Sequence, residues 1–204
     1  MLTMGLLASV GWLAVGLLQS EGSAVPALAA YCLIVAAVIA VRCWPWLAGR
    51  LRVSAGGLAW GAGAGALMTA ATYGLFPIVA RLEPGVGDEV RGLYGQLALG
   101  NLSTALPLVA VVVVGEELLW RGVLLEAVAT EPRWNPRRLL QLAMASAVYA
   151  VSQAAFGSLL LVAVAFACGV AWSALRVHTG QLIAPLTSHL VWSACVLWLV
   201  PLQT

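Results

Sequence analysis

The sequence predicts an all-α, polytopic transmembrane bundle of about seven spans, and three observations predict it. Of its 204 residues, 62% are hydrophobic and only 9% charged. The apolar residues run in long blocks instead of alternating with polar ones. A soluble domain of this length has no means of hiding that much apolar surface, so lipid must cover it. The charged residues gather in the breaks between blocks, leaving segments near the ~20 residues a helix needs to cross a bilayer.

The segments are 2–19, 25–46, 55–79, 98–128, 139–155, 158–176 and 181–202. The first lacks the positive flank of a cleaved signal and is read as a retained helix. The third carries Gly57, Gly61 and Gly65 at every fourth position. That small-residue ridge lets a neighbouring helix approach closely; with no strand before it and no Lys-Ser/Thr after it, it is not a nucleotide loop. The fourth exceeds the crossing length, predicting tilt or an extension past the bilayer. Residues 80–97 are polar enough for a surface amphipathic helix, with a substrate-facing lid as the alternative. No internal repeat suggests a transporter built from inverted halves. The chain divides into 1–97, helices without motif, and 98–204, which holds the chemistry, within one membrane domain.

The loops orient the bundle. All ten basic residues are arginine. Arg42, Arg50, Arg52, Arg133, Arg137, Arg138 and Arg176 fall on one side, A, and only Arg81 and Arg91 on the other, B, beside Glu83, Asp88 and Glu89. The positive-inside rule then places side A and the N-terminus in the cytoplasm and the C-terminus outside. Trp44, Trp46 and Trp134 flank the side-A arginines as interfacial anchors. The composition is bacterial in character, which points to the plasma (inner) membrane. No basic block suggests nucleic acid. Cys32, Cys43, Cys168 and Cys195 show no metal spacing and read as small core residues, with a nucleophilic Cys168 or Cys195 as the minor alternative.

Ionisable groups inside spans are costly, so they are candidates for function. Glu117 and Arg121 lie four apart on one helix face, where they can pair. Glu116 is turned about 100° away, free of that pair. Tyr149 and Gln153 repeat the i,i+4 spacing on the fifth span, and His189 and Ser193 on the last. At 1.5 Å rise per residue, Glu116, Gln153 and His189 lie ~18, ~21 and ~12 Å from the side-A ends of their helices. All three can therefore meet in mid-membrane. A glutamate in a dry pocket suits general-base work; the structural alternative is a Glu–Arg network that staples the bundle. His178 sits in a side-A turn and reads as solvated.

With Glu116-Glu117-Leu118-Leu119-Trp120-Arg121 matching Glu-Glu-x-x-x-Arg, the chain resembles the CAAX protease and bacteriocin-processing (Abi, prenyl-endopeptidase-like) family of intramembrane glutamate proteases over about 98–202. The segment Thr179–His189 resembles the loop and helix that introduce the family's third motif. The resemblance implies peptide hydrolysis by an activated water, with neither a covalent intermediate nor an obligatory metal or other cofactor. It implies Glu116 as base, Glu117 and Arg121 as the groups that orient it, and His189 as an oxyanion donor. The substrate would be a peptide or protein, lipid-modified or membrane-anchored, cut near its C-terminus.

Two motifs depart from that pattern. Tyr149-Ala150-Val151-Ser152-Gln153 replaces Phe-x-x-x-His, and Ser193 replaces a final asparagine. Glutamine holds water but accepts no proton at neutral pH. A lost general base costs about 10²–10⁴ in rate and a lost oxyanion donor about 10²–10³. Glu116 and His189 alone make a poor metal site. The competing expectation is a catalytically impaired protein on the same scaffold, serving in binding, sorting or bacteriocin immunity.

Overall fold

A computed structural model describes residues 1–18, 24–97, 102–129, 134–199 and 201–202. Gln19, residues 98–101, Arg133 and the side chain of Trp46, which figure in the sequence expectations, lie outside the described residues.

The described chain is a helical membrane bundle without strands. Its helices are α1 (Leu2–Leu18), α2 (Val25–Ala48), α3 (Ala55–Leu82), α4 (Gly85–Leu97), α5 (Leu102–Glu116), α6 (Leu125–Val128), α7 (Pro136–Ser152), α8 (Leu159–Thr179) and α9 (Ile183–Ala194). Wide-turned π segments join α5 to α6 (Glu117–Leu124) and follow α9 (Cys195–Leu199), and a 3₁₀ turn (Gln153–Phe156) ends α7. Val25–Pro45, Ala55–Leu82, Pro136–Phe156 and Leu159–Thr179 are long and apolar enough to cross a membrane; Leu2–Leu18 and Ile183–Leu199 are shorter apolar helices. Outward residues such as Leu7, Val41, Leu67 and Leu159 are exposed, as a lipid-facing surface requires.

Local chemistry sets the ends of these helices. Ser54 caps α3 by accepting from Gly57 N at 2.9 Å, and Ser158 caps α8 by accepting from Leu161 N at 2.8 Å. Asn135 accepts from Arg138 N at 2.9 Å, and Pro136 occupies the first position of α7. Helix α7 thus starts three residues before the predicted 139, because polarity hid a capped first turn. Helix α8 runs past the predicted 176 to Gly180, whose φ of 69° supplies a left-handed stop.

The fourth segment departs most from expectation. A continuous α-helix was predicted, but i→i+5 bonding takes over at Glu117 and persists to Leu124, closed by Leu125 N on Trp120 O. The angular spacing of an α-helix therefore does not hold across the motif. Such turns gather at functional sites.

Helix α4 is the amphipathic element expected in 80–97. Val86 and Val90 are buried, while Asp88 and Arg91 pair on the exposed face. Tyr94 Oη donates to Val196 O at 2.8 Å, and Glu89 accepts from Leu160 N at 3.2 Å. These bonds tie α4 across the side-B ends of α8 and the last segment.

Helix α3 presents its glycine ridge to α9. Gly57, Gly61 and Gly65 are its buried residues. A Cβ on Gly61 would fall 2.5 Å from the Ala184 carbonyl oxygen and 2.7 Å from Thr187 Cβ. The ridge therefore seats the helix that carries His189. Replacing Gly61 with valine is expected to destabilise the fold by about 1–3 kcal/mol through overpacking. Gly63→Val, whose Cβ would meet nothing within 4 Å, is the matched control. Thermal unfolding in detergent checks the pair, and equal melting temperatures would refute the assignment of the ridge.

Candidate active site

Three helices carry their polar pairs into one buried cluster. Glu116 is 6% exposed, Glu117 2%, Arg121 1%, Gln153 5% and His189 4%. Glu116 ends α5, Glu117 and Arg121 lie in the π segment, Gln153 opens the 3₁₀ turn, and His189 is on α9.

The geometry divides the two glutamates. Glu117 Oε1 lies 3.2 Å from Arg121 Nη1 and 2.9 Å from His189 Nδ1. Glu116 Oε1 accepts from Gln153 Nε2 at 3.2 Å, and its Oε2 lies 3.5 Å from His189 Nε2. His189 therefore stands between both carboxylates, one on each ring nitrogen. The expected Glu117–Arg121 pair and the separate direction of Glu116 are both present, although an ordinary α-helix does not supply them. Glu117 Oε2 and both terminal nitrogens of Arg121 have no hydrogen-bond partner among the described residues.

Aromatic rings enclose the cluster. The Arg121 guanidinium carbon sits 4.4 Å from the centre of the Tyr149 ring and 5.0 Å from that of Trp172. Both contacts lie within cation–π range. The Tyr149 ring packs on Trp120 at 4.7 Å. Trp172 stacks on His189 at 3.7 Å and 21°, and its indole N–H donates to Ser188 Oγ at 3.2 Å. Trp120 Nε1 donates to Ser9 Oγ at 3.1 Å, and Trp12 meets Trp120 edge-on at 5.0 Å. Helix α1, which carries no motif, thus backs the site directly.

Other expected residues fall into place around it. Ser193 is buried one turn beyond His189 and makes no hydrogen bond to the cluster among the described residues. Tyr149 contributes its ring face to Arg121. His178 is exposed at the end of α8, with its ring against Trp60 at 5.0 Å. Cys168 and Cys32 are buried and unbridged, and Cys43 and Cys195 are half-buried. Among the described residues no three His, Cys, Asp or Glu side chains gather as a metal site; Glu117 is already engaged by Arg121 and His189.

Sequence reasoning missed Trp172 and Trp120. Their indoles lie in apolar runs, where a tryptophan reads as core. Trp120 neighbours Arg121 in sequence, but Tyr149 and Trp172 reach the guanidinium from α7 and α8, and no local spacing shows that.

Removing Arg121 would leave Glu117 facing a buried imidazole alone. Breaking a buried pair from one side costs about 3–5 kcal/mol. Arg121→Leu is expected to lose that much stability in a denaturant titration in detergent. A loss under 1 kcal/mol, the size typical of exposed pairs, would show that the pair is not the bundle's internal clamp.

Residues 98–195 match the sequence model of a family described as Type II CAAX prenyl endopeptidase Rce1-like. No curated protein and no solved structure matches the chain. The matched segment contains every polar residue of the cluster, from Glu116 to His189, and Ser193 beyond it. With its Glu-Glu-x-x-x-Arg motif buried in a membrane bundle, this segment of the chain is similar to the type II CAAX prenyl endopeptidase Rce1-like family.

Proposed function

We propose that the protein is an intramembrane endopeptidase in which Glu116 activates a water to cut a peptide, or a membrane-anchored tail, near its C-terminus. The observation that carries this reading is the position of the Glu116 carboxylate, between the Gln153 amide at 3.2 Å and the His189 imidazole at 3.5 Å.

That geometry bears on the missing histidine. Family members resembling this chain place an imidazole at the position of Gln153. Here His189 offers one from the other side. With its proton on Nδ1 and donated to Glu117, His189 turns the lone pair of Nε2 toward Glu116. Water oxygen attacks the scissile carbonyl carbon while its proton passes to Glu116, with His189 sharing it. The tetrahedral intermediate then expels the amine, which takes that proton as the C–N bond breaks. Gln153 keeps one amide proton on Glu116 and leaves its carbonyl to accept from the water. Ser193, one turn past His189, is assigned to the oxyanion. Glu117 and Arg121 orient His189, and Trp172 fixes its ring.

A lipid-modified or strongly apolar tail fits the surroundings. A cavity of about 420 Å³ between α3, α4 and α8 is lined by residues such as Met68, Phe76, Val90 and Leu161. It reaches Cys168 and Trp192. The Trp192 ring stands 5.9 Å from Trp172, which stacks on His189. The preponderance of arginines on side A supports a cytoplasmic placement of that face in a bacterial plasma membrane.

The second reading, a non-catalytic scaffold for binding, sorting or immunity, is favoured by Gln153 standing where an imidazole would serve the base. Cleavage of lipid-modified peptides by the purified protein, followed by mass spectrometry, separates the two. Glu116→Gln is expected to reduce turnover by about 10²–10⁴-fold, and Gln153→His to raise it. Turnover in Glu116→Gln equal to that of the unsubstituted protein would remove Glu116 as base. Silence in both the natural chain and Gln153→His would favour the scaffold.

A further inference from the structure

Helix α4 contributes nothing to the Glu116 cluster, yet it closes the apolar cavity of about 420 Å³ beside it. Val86, Val90, Leu93 and Tyr94 of α4 form one wall of that cavity, with Phe76 of α3 and Leu161 of α8 among the others. Val86 and Val90 are buried on this side, whereas Asp88 and Arg91 pair on the outer face. The chain enters α4 from α3 through the two-residue turn Glu83–Pro84, where the proline cannot continue the helix before it.

The composition of α4 is poor for a helix. Gly85, Gly87, Gly92 and Gly95 are four of its 13 residues, and a glycine inside a helix weakens it relative to alanine. A Cβ on Gly92 or Gly95 would meet nothing within 4 Å. Close packing therefore calls for neither, in contrast to the ridge glycines of α3 that seat α9. What α4 touches must hold it in place. Glu89 accepts from Leu160 N at 3.2 Å, beside the Ser158 cap on the first turn of α8. Tyr94 Oη donates to Val196 O at 2.8 Å and accepts from Leu202 N at 2.9 Å. Gln96 O accepts from Ala24 N at 3.2 Å. The apolar contacts discriminate less between shut and open. An amphipathic helix lifted from the cavity can lay the same face into the lipid interface, so Val86 and Val90 stay covered in both positions. The polar ties make the difference.

We propose that α4 is a lid that lifts from α8 to admit an apolar chain from the bilayer into the cavity, with Tyr94 and Glu89 as its latches. The cavity reaches Trp192, whose ring meets the tryptophan stacked on His189. The lid therefore controls access to that flank of the cluster. The identity of the admitted chain as a substrate tail rests on the endopeptidase reading, whereas the opening of the lid does not.

Cys168 lines the cavity and is 9% exposed, so its thiol reports opening. Cys32 is buried elsewhere, with its Sγ 3.6 Å from Val112 O, and serves as the control. The full chain in a neutral detergent is treated with N-ethylmaleimide, and the alkylation rate of each cysteine is followed by peptide mass spectrometry. Tyr94→Phe removes the hydroxyl and both of its bonds. It should speed the labelling of Cys168 about tenfold, the ratio that one or two hydrogen bonds supply, and leave Cys32 unchanged. Gly92→Ala combined with Gly95→Ala strengthens the helix and should slow the labelling of Cys168 several-fold. That second variant decides the matter should Tyr94→Phe fail to fold. Equal Cys168 rates in all three proteins would overturn the lid. So would Cys32 labelling that rises in step with Cys168, since the whole bundle would then be loosening. No turnover is read, so the result is independent of whether the protein is a peptidase.

Discussion

The bundle depends on keeping two adjacent carboxylates and a guanidinium out of water. Each such group is expensive to bury unless charge and hydrogen bonds compensate it. Arg121 and His189 compensate Glu117. Gln153 and His189 face Glu116. The remaining demand falls on Arg121, and aromatic rings meet it: Tyr149 and Trp172 present their faces to the guanidinium. These partners come from the π segment, from α7 and its terminal 3₁₀ turn, from α8 and from α9, so the cluster constrains all four at once. The glycine ridge of α3 belongs to the same constraint, since it lets α9 sit close enough for His189 to be held from behind.

Much of this was legible in the sequence because membrane burial penalises polar residues so heavily. A glutamate, a glutamine and a histidine at matching depths on three helices have few reasons to be there except to meet, and they meet. The Glu117–Arg121 pair is expected from an α-helical spacing and forms, although through the π segment, and the surface helix at 80–97 follows from its mixed polarity. The remainder depends on relations that no local pattern records. Nothing in Glu117–Leu124 marks a switch to i→i+5 bonding, because that switch satisfies tertiary partners and no residue propensity. Stacking of Trp172 on His189 joins residues 17 apart whose helices are antiparallel across a turn. Arg176 was placed with the loop charges, yet it is buried against Glu126. The hydropathy pattern ended that helix at the arginine, whereas the chain continues to Gly180 and folds the side chain inward.

The adjacent glutamates show how one motif yields two chemistries. Glu117 is held by a guanidinium and an imidazole, and in the proposed mechanism its work is to orient. Glu116 has a neutral amide on one oxygen and an imidazole nitrogen on the other, and no Arg or Lys in direct contact among the described residues. A group so placed can gain or lose a proton without breaking an ion pair, as a base requires. Glu117 can do so only by abandoning Arg121. In the proposed mechanism the order of the two residues in the motif is thus an order of roles, set by which one faces the arginine.

The same logic recasts the glutamine at 153. An imidazole there would give Glu116 a second titrating neighbour, while His189 already supplies one at 3.5 Å. Exchanging histidine for glutamine keeps a hydrogen-bond donor on Glu116 and removes only one proton acceptor. It also removes a second ionisable group from a dry interior, where each such group is costly. A site with one histidine shared between two carboxylates is therefore easier to bury than one with two, and what it gives up is redundancy in proton transfer. In the proposed mechanism the substitution bears on how fast the water is activated and not on whether it is activated. The answer rests on His189, and on the tryptophan that holds its ring between the two glutamates.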